Sequence, residues 1–238
     1  MKLKLVTIVG TRPEIIRLSS IIKKFDKYFD HTLIHTGQNY DYELNQIFFK
    51  DLNLRNPDYI LNTKSKTTIQ TISKILIQVE NIIDKIKPDA GFILGDTNSC
   101  LSSLVLKKKK MPIFHFEAGN RCFDKNVPEE LNRILVDNIA DINLTYSKIA
   151  RDYLIKENFP QDRVINVGSP MNEVILDNKS KIKKSKVLKN LKVKKNNFFL
   201  ISTHREENVE NFKRFKTIID LILYLKIHYK KKIIISCH

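Results

Sequence analysis

Short apolar runs alternate with amphipathic stretches along most of this chain. Runs rich in Val, Ile, Leu and Phe at residues 4–9, 31–35, 90–94, 113–116, 142–144 and 164–167 read as strands. Between them, residues 14–27, 42–50, 68–87, 99–109, 129–140 and 148–157 carry helical patterns. Short β-branched strands separated by amphipathic helices predict an α/β lobe, a parallel sheet covered on both faces, over residues 1–168. The pattern changes at Ser169-Pro170. Residues 169–195 open with a turn, continue as a short helix and become Lys-rich, which reads as a hinge and the entry to a second lobe. Residues 196–238 then offer a strand at 198–202, a long helix at 209–229 and a strand at 232–237. One βαβ unit cannot cover its own apolar faces, so the second lobe is expected to be truncated.

Charge adds a constraint on ligands. The 238 residues carry a formal net charge of +16, most of it from Lys. The Lys runs at 107–110, 179–195 and 230–232 are not interleaved with aromatic residues as a base-stacking surface would be. Nucleic acid is therefore not the expected partner, whereas a positive field favours encounter with a small anionic molecule. No run approaches the roughly 18 apolar residues of a membrane helix. The apolar start of the chain is short and runs directly into Arg12 and Glu14, unlike a secretion signal. A cytoplasmic protein without a membrane partner is expected. Cys100, Cys122 and Cys237 are few, odd in number and without metal-ligand spacing, in keeping with reduced thiols.

The candidate chemistry sits where strands end. Gly10-Thr11-Arg12-Pro13-Glu14 follows the first strand and opens a helix. Unpaired N–H groups, the helix dipole and Arg12 together make an anion site there, with phosphate the simplest guest. A capping box formed by Thr11 and Glu14 explains the same residues without a ligand, and both readings stand on local grounds. Gly95-Asp96-Thr97 follows the strand at 90–94, and Glu117-Ala118-Gly119 follows the strand at 113–116. Sheet geometry brings Asp96, Glu117 and Arg12 to one rim. Pro128 opens a helix bearing Glu129, Glu130 and Arg133, and one of the two acids must turn inward because helix neighbours are about 100° apart. Clustered carboxylates raise one another's proton affinity, the condition for acid–base work near neutral pH. The plain alternatives are that Asp96 caps the next helix and Glu129 pairs with Arg133. His115, two residues before Glu117, is read as a hydrogen-bonded core histidine rather than a metal ligand. His204 and Arg205 stand at the end of the strand at 198–202, either as a second anion site or with His204 paired to Glu206 or Glu207.

In order along the chain, these elements resemble the UDP-N-acetylglucosamine 2-epimerase family over essentially the full length. The matching residues are Gly10-Thr11-Arg12-Pro13-Glu14, Gly95-Asp96-Thr97, Glu117-Ala118-Gly119, Pro128-Glu129-Glu130 with Asn132-Arg133, and His204-Arg205-Glu206. The segments His35 to Asp41, Asp96 to Cys100, Asn120 to Asp124 and Gly168 to Met171 look like the branch that forms UDP-N-acetyl-L-fucosamine. The resemblance implies a glycosyltransferase-B-like fold of two Rossmann-like lobes. It implies an isomerase that inverts C2 of a UDP-N-acetylhexosamine by eliminating UDP to a glycal and adding it back, with no cofactor and no metal. It implies catalytic roles for Asp96, Glu117, Glu129 and His204, and substrate-binding roles for Arg12, Arg17, Glu130, Arg133 and Arg205. Arg17 departs from the Lys frequent in the family, which keeps the charge and changes the donor geometry. A homodimer, a second chain supplying the rest of the second lobe, and a role in capsule or lipopolysaccharide synthesis are further expectations of the resemblance.

Overall fold

The structure is a computed structural model, and it describes residues 2–37, 46–202 and 212–236. The chain divides into two compact units, Met1–Asn178 and Lys179–His238.

The first unit is built on a seven-stranded sheet: β1 (Lys4–Val9), β2 (Asp30–His35), β3 (Tyr59–Ile60), β4 (Ala90–Leu94), β5 (Ile113–Ala118), β6 (Ile142–Thr145) and β7 (Val164–Asn166). Every neighbouring pair is parallel, in the order β3-β2-β1-β4-β5-β6-β7. The order reverses between β1 and β4, which opens a crevice beyond their C-terminal ends where such sheets bind ligands. Period-two side-chain direction sorts the strands' apolar residues onto two faces. Leu5 and Val9 of β1 join Ile15, Leu18 and Ile22 of α1 (Arg12–Tyr28) in one buried cluster. Val6 and Ile8 join Ile75, Val79 and Ile83 of α3 (Thr68–Ile86) in the other. The spacing of the α3 residues puts them on one helical stripe, which is why the sequence pattern located this helix. Gly91 in β4 makes room for Leu106: a Cβ there would fall 2.3 Å from Leu106 Cδ1, so that side chain would have to shift.

The expected strands and helices of this unit are present, β1 and β4 with the expected ends and the others with shifted ones. Of the stretch expected at 42–50, the described part is α2 (Gln46–Asp51). The stretch expected at 99–109 is a 3-10 helix, Asn98–Ser102, running into α4 (Ser103–Lys108). β3 was not expected, since two residues carry no periodicity. β5 runs past residue 116 through an irregularity between Phe116 and Ala118, so Glu117 lies within the strand end. α5 (Pro128–Ile139), α6 (Lys148–Lys156) and α7 (Met171–Asp177) complete the unit. α7 lies in the stretch read as a hinge and is tied to α1: Ser20 Oγ donates to Asp177 at 2.7 Å, and Lys24 pairs with Glu173 at 3.1 Å.

In the second unit, β8 (Phe198–Ser202) and β9 (Lys232–Ser236) pair in parallel, with the helix Phe212–Tyr229 between them in sequence. Phe199 meets Tyr229 edge-on at 5.4 Å between ring centroids. None of the described residues of this unit is buried. Among the described residues of the chain, no helix is long and apolar enough to cross a membrane.

Candidate active site

The crevice between β1 and β4 is closed at its base by one carboxylate. Glu14, three residues into α1 after the cap residue Thr11, is buried. Its Oε2 accepts from the backbone N–H groups of Gly10 and Thr11, each at 2.7 Å, and from Thr11 Oγ1 at 3.1 Å. Its Oε1 accepts from Thr97 Oγ1 at 2.8 Å. The capping box is thus present, and the same side chain ties the turn after β1 to the loop after β4. Burial pushes the Glu14 carboxyl above its ordinary value against these hydrogen bonds. Two of the N–H groups that an anion would use are occupied by Glu14. Arg12 remains: its guanidinium lies 5.9 Å over the Phe48 ring and forms no ion pair among the described residues.

Asp96 follows β4 after Gly95, whose φ of +67° lies in the left-handed region that glycine adopts freely. Asp96 does not cap the next helix; Thr97 does, accepting from Ser99 N–H at 3.3 Å. Arg133 of α5 holds Asp96 instead, with Nε donating to Oδ2 at 3.1 Å and a terminal nitrogen contacting the same oxygen. Asn132 donates to the Asp96 carbonyl at 2.8 Å. The other terminal nitrogen of Arg133 donates to Glu130 at 2.8 Å.

The two acids at the start of α5 therefore part company. Glu130 turns inward, buried, and accepts from the backbone N–H groups of Cys122 at 3.1 Å and Phe123 at 3.0 Å. Burial opposes its charge, yet these N–H groups and Arg133 hold its carboxyl below the ordinary value. Glu129 is exposed and makes none of these contacts. The pairing of Glu129 with Arg133 considered from the sequence is replaced by Glu130 with Arg133.

Glu117 stands on β5 with φ +75°, a strained value for a non-glycine residue that turns its side chain out of the strand's alternation. Arg17 of α1 pairs with its Oε2, and Asn120 Nδ2 donates to its Oε1 at 3.4 Å. Burial raises the Glu117 carboxyl above its ordinary value, Arg17 opposes that, and Asp96 reinforces it.

Beneath these acids lies a buried ionic network. His115 Nε2 donates to the Gly95 carbonyl at 3.0 Å, and Nδ1 meets Asp137 at 2.8 Å. Both ring nitrogens are engaged, so His115 is a structural residue with none left for a metal. Asp137 also receives Arg121 at 2.7 Å and Gly119 N–H at 3.3 Å. Arg121 forks onto Glu157 with contacts of 2.8 and 2.6 Å. Gly119 has φ +78°, and a Cβ on it would fall 2.4 Å from the Ala150 carbonyl oxygen.

Of the residues singled out from sequence, Arg17, Asp96, Glu117, Glu130 and Arg133 meet at this rim. Arg12 stands at the same turn. His204 and Arg205 lie outside the described residues. Sequence reasoning missed Glu14's tie to Thr97 and the packing of Tyr146 beside Glu117; position at a strand's C-terminal end was the available signal for Tyr146.

The family model for UDP-N-acetylglucosamine 2-epimerase matches residues 23–238. The chain belongs to the UDP-N-acetylglucosamine 2-epimerase family. A UDP-N-acetylglucosamine 2-epimerase of Methanocaldococcus jannaschii is 40% identical over 99% of this chain and 66% of that protein. Its crystal structure with UDP-GlcNAc and UDP superposes with a TM-score of 0.91, at 39% identity over 99% of this chain and 66% of that one. The Rickettsia bellii UDP-N-acetylglucosamine 2-epimerase structure gives 0.92 at 46% identity, over 100% of this chain and 62% of that one. A Pseudomonas aeruginosa UDP-2,3-diacetamido-2,3-dideoxy-D-glucuronate 2-epimerase is 33% identical over 95% of this chain and 64% of that protein. The chain thus spans just under two thirds of these family members. The fold is α/β and glycosyltransferase-B-like: a lipopolysaccharide outer core galactosyltransferase shares it with a TM-score of 0.51, at 15% identity over 70% of this chain and 45% of that one.

Proposed function

We propose that this protein acts as a non-hydrolysing UDP-N-acetylhexosamine 2-epimerase, eliminating UDP to a glycal and re-adding it after reprotonation of C2. The observation that carries the reading is the meeting of Asp96, Glu117 and Glu130 with Arg17 and Arg133 at the β1/β4 crevice in a chain of this family. The C2 proton of an N-acetylhexosamine is weakly acidic, so departure of UDP must lead or accompany its removal. Arg12 and Arg17 supply positive charge for the diphosphate as it leaves. One carboxylate takes the C2 proton and another returns one on the opposite face. Glu117, whose carboxyl burial raises above its ordinary value, is the first candidate to carry that proton. Asp96, held by Arg133, stands beside it as the second carboxylate of the rim. His204 and Arg205 are assigned to the diphosphate, and Glu129 to the second face of the sugar.

UDP-GlcNAc and its manno epimer are the first substrates to test, because relatives carry that specificity in their names. A second reading assigns the 6-deoxy-L-talose derivative as substrate and UDP-N-acetyl-L-fucosamine as product, for capsule or lipopolysaccharide synthesis in the cytoplasm. What supports it is the resemblance carried by Asn120 to Asp124, whose first residue donates to Glu117. Incubation with each substrate in heavy water tests both. Deuterium is expected at C2 of the product, and Glu117→Gln is expected to slow its entry by about 100- to 10,000-fold. Absence of deuterium with both substrates overturns the reading.

A further inference from the structure

At the end of β6 the buried hydroxyls of Thr145 and Tyr146 have no partner among the described residues, and that of Tyr146 lies on the Glu117 side. Tyr146 follows β6 directly, at the C-terminal end of the strand beside β5. Its ring packs edge-on against Phe116, 4.9 Å between centroids, and Phe116 is the residue before Glu117. Its Oη is buried and has no hydrogen-bond partner among the described residues. An orphaned buried hydroxyl is costly to keep, and nothing in the packing of the ring requires it, since Phe fills the same space. The ring packs on the cluster that holds Ile15 and Leu18 of α1, and on that same side of the sheet Glu117 reaches α1 through Arg17; both charges act on the phenol, after the larger effect of burial.

Glu117 depends on a partner with another task. Arg17 is about one third exposed, at 36%, and sits on the helix whose first turn carries Arg12. In the proposed reaction Arg17 is drawn toward the diphosphate, and Glu117 then loses its strongest donor. We propose that Tyr146 is a positioning residue that donates its hydroxyl to the Glu117 carboxylate when Arg17 turns to the ligand. The orphaned Oη of the free protein is the standby donor of the liganded one. This inference rests on the epimerase reading and names a residue which that reading does not use.

The groups facing Glu117 from every packed element are Arg17 on α1, Asp96 after β4, His115 on β5 and Tyr146 after β6. A donor taken from an ionised carboxylate raises its proton affinity. Tyr146→Phe, which keeps the ring, is therefore expected to move the Glu117-dependent limb of the pH–rate profile up by about one unit. That limb is identified as the one abolished by Glu117→Gln. Turnover is expected to fall about 10- to 100-fold with KM little changed, the scale of a hydrogen bond to a charged group. Thermal unfolding of the free variant is expected at or above the wild-type temperature, since only an unpartnered hydroxyl is removed. A variant matching wild type in turnover and pH profile overturns the proposal, as does a change in KM alone. Wild-type protein that exchanges no deuterium overturns the epimerase reading and this inference with it, whereas active wild type with an unaltered variant overturns this inference only.

Discussion

The two units bury their residues very differently. In the first, seven strands are covered on both faces, and even its charged groups are enclosed: Asp137 and His115 are fully buried. In the second, two strands and one long helix leave Phe212 at 80%, Ile227 at 69% and Leu200 at 67% exposed. Both use the same parallel βαβ grammar with equally apolar strands. The difference is the number of layers, because an apolar face is stabilised only where a second face covers it. A cluster of enclosed carboxylates needs the first kind of support, and the chain places Glu14, Glu117 and Glu130 there.

Three measurements probe this contrast. Asp137→Ala leaves Arg121 and His115 buried without their shared anion, and is expected to destabilise the first unit by about 3–5 kcal/mol in urea unfolding. A loss under about 1 kcal/mol would mean that the network beneath the acids is not supporting them. Paired truncations come next. Ile83→Ala, in the buried stripe of α3, is expected to cost about 2–5 kcal/mol and to speed amide exchange across β1 and β4. Ile227→Ala on the exposed helix is expected to stay within about 0.5 kcal/mol. Equal costs would erase the distinction between the units.

The third measurement concerns acid. Glu130 has a folded carboxyl below its ordinary value of 4.5, so its contribution is complete above that value and is lost as pH falls through the folded one. Glu14 and Glu117 run the other way: their carboxyls are raised, and the cost of keeping them ionised is relieved as they protonate. Glu130→Gln keeps acceptance from Cys122 and Phe123 while losing the charge toward Arg133. It is expected to cost on the order of 1 kcal/mol near neutral pH and to flatten the decline of stability below pH 4.5, read by thermal unfolding across pH. An unchanged acid limb would rule Glu130 out as its source.

The sheet was readable from residues because buried parallel strands leave unbroken apolar runs; β1, β4 and β8 keep the ends read from sequence. The rim was readable because Gly95-Asp96 and Glu117 sit where such strands must end. Other features depend on packing. Glu129 and Glu130 are chemically identical neighbours, and only the docking of α5 decides which turns inward. Glu117's left-handed backbone follows from a register shift that no residue type announces. Tyr146 reads as one more aromatic filler until its hydroxyl is found without a partner among the described residues.

Glu14 acts as a cross-brace. With Gly10, Thr11 and Thr97 all fastened to one enclosed carboxylate, the turn after β1 and the loop after β4 behave as a single rigid sill. Of the long cationic arms at that sill, Arg17 and Arg133 are themselves fastened to carboxylates, and Arg12 is the one without an ion pair among the described residues.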